Sequence, residues 1–351
     1  MAANNPFCLS FGREPDRFIE RGKTYTKIKE TFDSISPSVN SFIITGVRGS
    51  GKTVLLATIA NEYRENNDWL VVSLNPTRNM LEMLAGGLYE TCKALQNGFI
   101  EKSVNLSKFG IGVEIKNVPP ISDIQIAIVK MLDIVKKSNK RVLITIDDAT
   151  KSNDIITFAC AFQDFISQNY PVYLLMTGLY ENIKPIKDDK RCSFFTRAEQ
   201  RELAPLDIIK MKNQYEQTFN CSEAEATRMA AFTKGYSYAF QALGYIMWDE
   251  ECSLDDAIPY FDERMSEYCY DKIWEDLPNK EREFIKAIGE KKEEKVKDIM
   301  ANMGINNSQF SVYRDRLIKK GIVTSNKYGY LSLTLPRFGE YVTLKQILED
   351  Y

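Results

Sequence analysis

The chain has 351 residues, 44% hydrophobic and 27% charged, a globular composition long enough for two or three domains. It contains no histidine, which excludes histidine bases, histidine-activated nucleophiles and histidine metal sites. The formal net charge of −2 excludes a uniform pull toward nucleic acid, but residues 277–351 hold 14 Lys+Arg against 10 Asp+Glu, net +4, leaving −6 for the rest.

The seven cysteines are Cys8, Cys92, Cys160, Cys192, Cys221, Cys252 and Cys269, an odd number with no C-x-x-C pair. They read as scattered reduced thiols of a cytoplasmic protein. The N-terminus MAANNPFCLSFGRE lacks a basic stretch followed by an apolar core, so no secretory leader is expected. No run approaches the ~20 apolar residues of a membrane span, and no membrane association is expected.

In chain order, the first β run is Ser41–Thr45. It leads into Gly46-Val47-Arg48-Gly49-Ser50-Gly51-Lys52-Thr53, the spacing G-x-x-x-x-G-K-T of a phosphate-binding loop. A helical run from Val54 to Tyr63 follows, with Leu55, Leu56, Ile59 and Ala60 on its apolar side. Glycines let the loop backbone turn its N–H groups inward around a phosphate, and the helix start adds its positive dipole end. In that setting Lys52 reaches the β- and γ-phosphates of ATP, or the β-phosphate of ADP, and Thr53 offers its hydroxyl to Mg²⁺. Val54 completes the binding stretch.

Trp69–Pro76 reads as a second strand and Phe109–Lys116 as a third, in an excursion before Pro119-Pro120. The buried run Val142–Ile146 ends in Asp147-Asp148. Asp147 is placed as the Mg²⁺ partner, and Asp148 as the group that polarises the attacking water. A helical stretch, Asp154–Ser167, precedes the strand-like run Tyr170–Gly178. Thr177 falls at the carboxyl end of that strand, where such sheets bind ligands. It either hydrogen-bonds the γ-phosphate or the water, or forms a plain Thr-Gly turn. Strands alternating with helices imply βαβ units and a parallel sheet. Chemistry without histidine suits phosphoryl transfer, where positioning and charge stabilisation dominate.

Asp207–Asp271 is helical throughout by its apolar spacing. Beyond it, Val296, Ile299, Met300 and Met303 mark one helix face closed by Gly304. Asn306-Asn307-Ser308 can cap a second helix, Gln309–Lys320, with Phe310, Tyr313, Leu317 and Ile318 inward. Ile322–Ser325 and Tyr330–Leu335 flank the turn Asn326–Gly329. Helix–turn–helix followed by a β-hairpin is a winged helix. Its outer residues Gln309, Ser311, Arg314, Arg316, Lys319 and Lys320, with Lys327 and Tyr328 at the wing tip, suit contacts to double-stranded DNA. Winged helices also serve as protein-docking modules, and cations at a helix C-terminus complement its dipole.

These motifs resemble the AAA+ ATPases and their STAND relatives, especially the branch of archaeal and origin-recognition-type initiators. The stretch LSFGREPDRFIER looks like that branch's Gly-Arg-Glu box, which implies that Gly12, Arg13 and Glu14 line the nucleotide base pocket. The pair Asp147-Asp148 looks more STAND-like than the acid–glutamate form. FFTRAEQRELAPLD resembles the end of the core domain, where the family often carries an arginine finger. Arg197 matches best, with Arg201 and Arg191 as rivals and an ordinary surface arginine as the plain reading. TKGYSYAFQALGY looks like the second sensor. The family's arginine and Gly-x-Pro are both missing there, leaving Gly235 and Tyr236 at that position.

The expected fold is α/β: a P-loop NTPase, AAA+-like parallel-sheet core at 1–205, a helical lid at 206–275 and a winged-helix domain at 276–351. The expected function is an ATP·Mg²⁺-binding switch, slow as a hydrolase, that couples nucleotide state to DNA binding and self-associates on binding ATP. The alternatives are a nucleotide-gated scaffold whose winged helix binds a protein, and a near-inactive ATPase that binds nucleotide for stability.

Overall fold

A computed structural model describes residues 4–10, 19, 21–92, 107–110 and 121–349. The chain forms two compact units. One comprises Gly22–Thr45 and Lys52–Glu202. The other comprises Met1–Arg21, Gly46–Gly51 and Leu203–Tyr351.

The first unit is α/β. Helix α1 (Gly22–Asp33) precedes strand β1 (Ser41–Thr45), and α2 (Lys52–Glu65) precedes β2 (Trp69–Leu74). Then come α3 (Met80–Thr91), α4 (Ile124–Lys137), β3 (Arg141–Ile146), α5 (Asn153–Ser167), β4 (Val172–Gly178), α6 (Tyr180–Lys187) and β5 (Glu199–Glu202). Among the described residues the strands form one parallel sheet in the order β2-β3-β4-β1-β5. β1, β3 and β4 are continuous apolar runs because helices cover both faces of such a sheet. β5 is different: Glu-Gln-Arg-Glu has no strand pattern, and its pairing to β1 makes it an edge strand.

The core of this unit sits on the sheet under α3, α4 and α5, and Phe158, Phe162 and Phe165 are fully buried there. Truncating one such ring costs about 3–5 kcal/mol. The helices start where side chains satisfy their first N–H groups. Asn79 accepts from Glu82, Asp123 from Gln125 and Ile126, and Ser152 from Ile155. The register sets Thr45 beside Gly178 and Ile146 beside Met176, so the carboxyl ends of β1, β4 and β3 are neighbours. Of the strand expected at 109–116, Phe109 ends a short 3₁₀ turn, Ser107–Phe109. Residues 111–116 lie outside the described residues.

The second unit is mostly helical. Helices α7 (Ile208–Phe219), α8 (Glu223–Phe232), α9 (Ser237–Asp249) and α10 (Leu254–Met265) lead through a π-turn at Ser266–Tyr270 into α11 (Asp271–Glu275). The chain continues through α12 (Asn279–Ile288), β6 (Glu294–Lys295), α13 (Val296–Met303), α14 (Asn307–Lys319), β7 (Val323–Thr324), β8 (Tyr330–Leu333) and α15 (Phe338–Glu349). The three short strands form an antiparallel sheet in the order β6-β8-β7.

One hydrophobic core runs from Met211 and Tyr215 through Phe240, Phe261 and Tyr270 to Phe284, Leu317 and Phe338. Polar contacts follow the same line. Arg337 donates twice to Asp262 at 2.7 Å, and Asp271 receives the Tyr341 hydroxyl and the Lys345 ammonium, each at 2.7 Å. The helices expected at 206–275 therefore share their interior with the elements expected as a separate domain at 276–351. Phe7 enters this core from the N-terminal segment, stacked on Phe219 at 5.7 Å. It lies over Gly244 so closely that a Cβ there would sit 2.4 Å from its ring.

Candidate functional site

Residues Gly46–Gly51, between β1 and α2, belong to the mostly helical unit. Ser50 N–H closes the turn on the Val47 carbonyl at 3.2 Å. Gly49 and Gly51 have φ of +75° and +91°, in the left-handed region that side chains avoid. Space is short as well: a Cβ on Gly49 would lie 2.2 Å from the Tyr236 hydroxyl, a clash, and one on Gly51 would crowd Ser237 Oγ at 3.1 Å.

Three successive loop carbonyls point at donors. The Tyr236 hydroxyl donates to Arg48 O, Tyr238 N–H to Gly49 O at 3.1 Å and the Ser237 hydroxyl to Ser50 O at 2.9 Å. The Arg21 guanidinium donates to Ser50 O, Ala204 O and Ser237 Oγ. Burial lowers the Arg21 pKa to about 10, so the group stays charged at neutral pH. It has no carboxylate partner among the described residues. Burial holds the Tyr236 hydroxyl well above its usual pKa, so it remains a donor. Arg48 Nε and Ser50 Oγ are buried without hydrogen-bond partners among the described residues. A tight loop with two orphaned polar atoms and an uncompensated arginine fits an anion better than a neutral guest.

In the α/β unit, Lys52 and Thr53 open α2, with Lys52 buried and Val54 next to them. Across the sheet, β3 delivers Asp147-Asp148. The Thr177 hydroxyl donates to Asp147 Oδ1 and accepts from Asp148 N–H at 3.2 Å. Asp148 itself is exposed, with φ of +48°, and Ala149 N–H returns to Thr177 O at 2.8 Å. Thr177, 1% exposed, thus sits under the acidic pair with its hydroxyl engaged by both residues. One carboxylate and one hydroxyl are hard oxygen donors of the kind Mg²⁺ takes alongside phosphates and water. Among the described residues no group of three or more Asp, Glu or Cys could hold a metal by itself.

The three candidate finger arginines differ. Arg191 is tied to Asp189 at 2.9 Å, and Arg201 pairs with Glu199. Arg197 is exposed, with no ion pair among the described residues. Gly12, Arg13 and Glu14 lie outside the described residues.

On the C-terminal elements, Asn306 and Gln309 form a reciprocal capping box at the start of α14. Arg314 lies over Phe310 and bonds Asp315 at 2.9 Å. Lys320 reaches the buried Glu281 at 2.8 Å, and Arg316 approaches the same carboxylate at 4.0 Å. Ser311 and Lys319 complete the outer side of the helix. At the β7–β8 turn Lys327 folds over Tyr330 at 4.2 Å, and Tyr328 is fully exposed.

Comparison with solved structures places the α/β unit's topology in a known setting. The Walker-type ATPase of Pyrococcus abyssi superposes with a TM-score of 0.64 at 14% identity, covering 93% of this chain and 96% of that one. The chain has the fold of a P-loop ATPase. Cdc6p from Pyrobaculum aerophilum is similar at TM-score 0.49 and 14% identity, over 97% of each chain. The Aeropyrum pernix ORC1 protein in complex with DNA is similar at 0.47 and 11%, over 97% and 95%. A family model described as a domain of unknown function (DUF8462) matches residues 267–342. No curated protein sequence matches the chain.

Sequence reasoning missed Arg21, Ser237 and Tyr238. The missing arginine in Gly235-Tyr236-Ser237 was the one available signal. It marked Tyr236 as unusual without saying that its hydroxyl reaches the loop. Arg21 had no signal, because a lone arginine before a helix carries none.

Proposed function

We propose that the chain is an ATP-binding, slowly hydrolysing switch with a P-loop core, a helical lid at 206–275 and a winged helix at 276–351. The observation that carries this reading is the Gly46–Gly51 loop, with glycine required by torsion at Gly49 and Gly51, between a buried strand and a helix opened by Lys52 and Thr53. Lys52 binds the β- and γ-phosphates, and Thr53 and Asp147 hold Mg²⁺. Bound Mg²⁺ supplies charge neutralisation on the phosphates. Asp148 orients and polarises water, while Thr177 keeps the acidic pair in place, which favours positioning over direct phosphate sensing. Arg197 is the arginine free to serve a neighbouring copy's nucleotide, which implies self-association on ATP binding.

For the C-terminal elements we favour double-stranded DNA, on the +4 charge of residues 277–351 and the exposed turn at Lys327-Tyr328. The protein-docking reading has its own support: Leu344, Ile347 and Leu348 are exposed on α15, and Val312 on α14.

Titration of a fluorescent ATP analogue tests the core reading. Lys52→Ala deletes the charge facing the phosphates, and its affinity is expected to fall by about tenfold or more, as for loss of a charge-assisted contact of about 1.5–3 kcal/mol. A folded Lys52→Ala protein with unchanged binding and turnover would remove the assignment.

A further inference from the structure

The residues where the family resemblance expects a sensing arginine face backbone carbonyls. The Tyr236 hydroxyl, the Tyr238 N–H and the Ser237 hydroxyl engage the carbonyls of Arg48, Gly49 and Ser50 respectively, and Arg21 adds a second donor at Ser50 O. A trans peptide is planar, so fixing a carbonyl fixes the next residue's N–H in the opposite direction. Three consecutive planes are held this way, which sets the N–H groups of Gly49, Ser50 and Gly51. Ser50 N–H turns back on Val47; the two glycine N–H groups face away from the donors.

We propose that Tyr236, Ser237 and Tyr238, with Arg21, are positioning residues that pre-set the phosphate loop for an oligophosphate. This rests on the nucleotide-binding reading above and deepens it. A glycine loop left free must lose backbone freedom when it closes on a ligand. A loop clamped from behind has lost it already, so more of the contact energy shows as affinity. The clamp carries its own positive charge on Arg21, which no described carboxylate offsets. Glycine at 49 is thus required by the clamp as well as by its torsion, because the Tyr236 hydroxyl occupies the space a Cβ would need.

The experiment compares the full-length protein with Tyr236→Phe, Ser237→Ala and the double variant. Binding of a fluorescent ATP analogue, its displacement by inorganic tripolyphosphate, and the unfolding midpoint without ligand are measured for each. Tyr236→Phe keeps the buried ring and removes only the hydroxyl. Each single variant is expected to weaken ATP and tripolyphosphate alike, roughly fivefold for Tyr236→Phe, which loses one neutral hydrogen bond, and more for Ser237→Ala, which also loses the Arg21 contact. The double variant should lose more, with the ligand-free midpoint within a few degrees of wild type. Ser237→Thr, which keeps the hydroxyl, should restore binding. Wild-type affinity in the double variant would overturn the clamp while leaving the nucleotide reading standing. So would a loss of affinity that tracks a matching fall in the ligand-free midpoint. If wild type binds neither probe, the nucleotide reading fails and the clamp falls with it.

Discussion

At the residue scale, the acidic pair shows how one hydroxyl can separate two chemically identical side chains. Thr177 donates to Asp147 and receives the backbone N–H of Asp148. Asp147 is therefore oriented by its side chain, whereas among the described residues Asp148 is held by its backbone alone and presents an exposed carboxylate. This asymmetry matches a division between holding Mg²⁺ and acting on water. Asp148→Asn keeps the backbone and the size of the side chain and removes its charge. It is expected to retain Mg²⁺·ATP binding within about twofold and to lower hydrolysis by 10²-fold or more, in the range for loss of a group acting on a proton in flight. Single-turnover hydrolysis beside an equilibrium titration checks it. Hydrolysis at the wild-type rate would assign the water to another group.

At the element scale, the N-terminal segment and α9 set two tendencies against each other at Gly244. Helix propensity alone predicts that Gly244→Ala stabilises by about 1 kcal/mol. Packing predicts the opposite, because the new methyl would stand 2.4 Å from the Phe7 ring. Overpacking costs about 1–3 kcal/mol, and the loss of Phe7 would also strain Cys8 N–H, bonded to Gln241 Oε1 at 2.9 Å. Packing should win, so thermal melting is expected to show a lower midpoint in Gly244→Ala. A raised midpoint would mean that Phe7 gives way at little cost. The same unit shows why element boundaries blur: Tyr270 and Trp274 pack with Tyr341 from the last helix. The matched family region likewise begins at residue 267, ahead of α12.

At the scale of the whole molecule, charge distribution decides how the DNA reading must be tested. Lys320 is a poor probe. It neutralises Glu281, which is 2% exposed, and removing one partner of a buried pair costs about 3 kcal/mol of folding free energy. A weakened Lys320→Ala protein would report stability rather than lost phosphate contact. Arg314 bonds an exposed aspartate next to it in sequence, an interaction worth about 0–1 kcal/mol. The pair Arg314→Ala/Lys319→Ala leaves the Lys320–Glu281 contact intact and is the better probe, with the melting midpoint as its control. It should weaken binding of a random duplex and lower the salt slope by about one unit for each lost phosphate contact, with ATP affinity unchanged. Binding of a labelled duplex across a salt series measures this. If wild type shows no salt-sensitive binding with or without ATP, the exposed leucines of α15 become the reason to seek a protein partner instead.

The sequence by itself determined what depends on local patterning. β1, β3 and β4 were legible because a parallel sheet buried on both faces demands unbroken apolar runs. The loop was legible because glycines, lysine and threonine at fixed spacing serve one local geometry. The start of α14 was legible to within two residues because Asn306-Asn307-Ser308 carries cap residues; the helix begins at Asn307, and Gln309, read as an outward contact, closes the capping box. Tertiary structure alone decided what depends on distant partners. β5 became a strand only by pairing with β1, since Glu-Gln-Arg-Glu carries no periodicity. Lys320 and Arg316 read as outward cations until α12 brought Glu281 beneath them. Tyr236, Ser237 and Arg21 meet the loop from nearly 190 and about 30 residues away in sequence, a separation at which side-chain type says nothing about which carbonyl it will find.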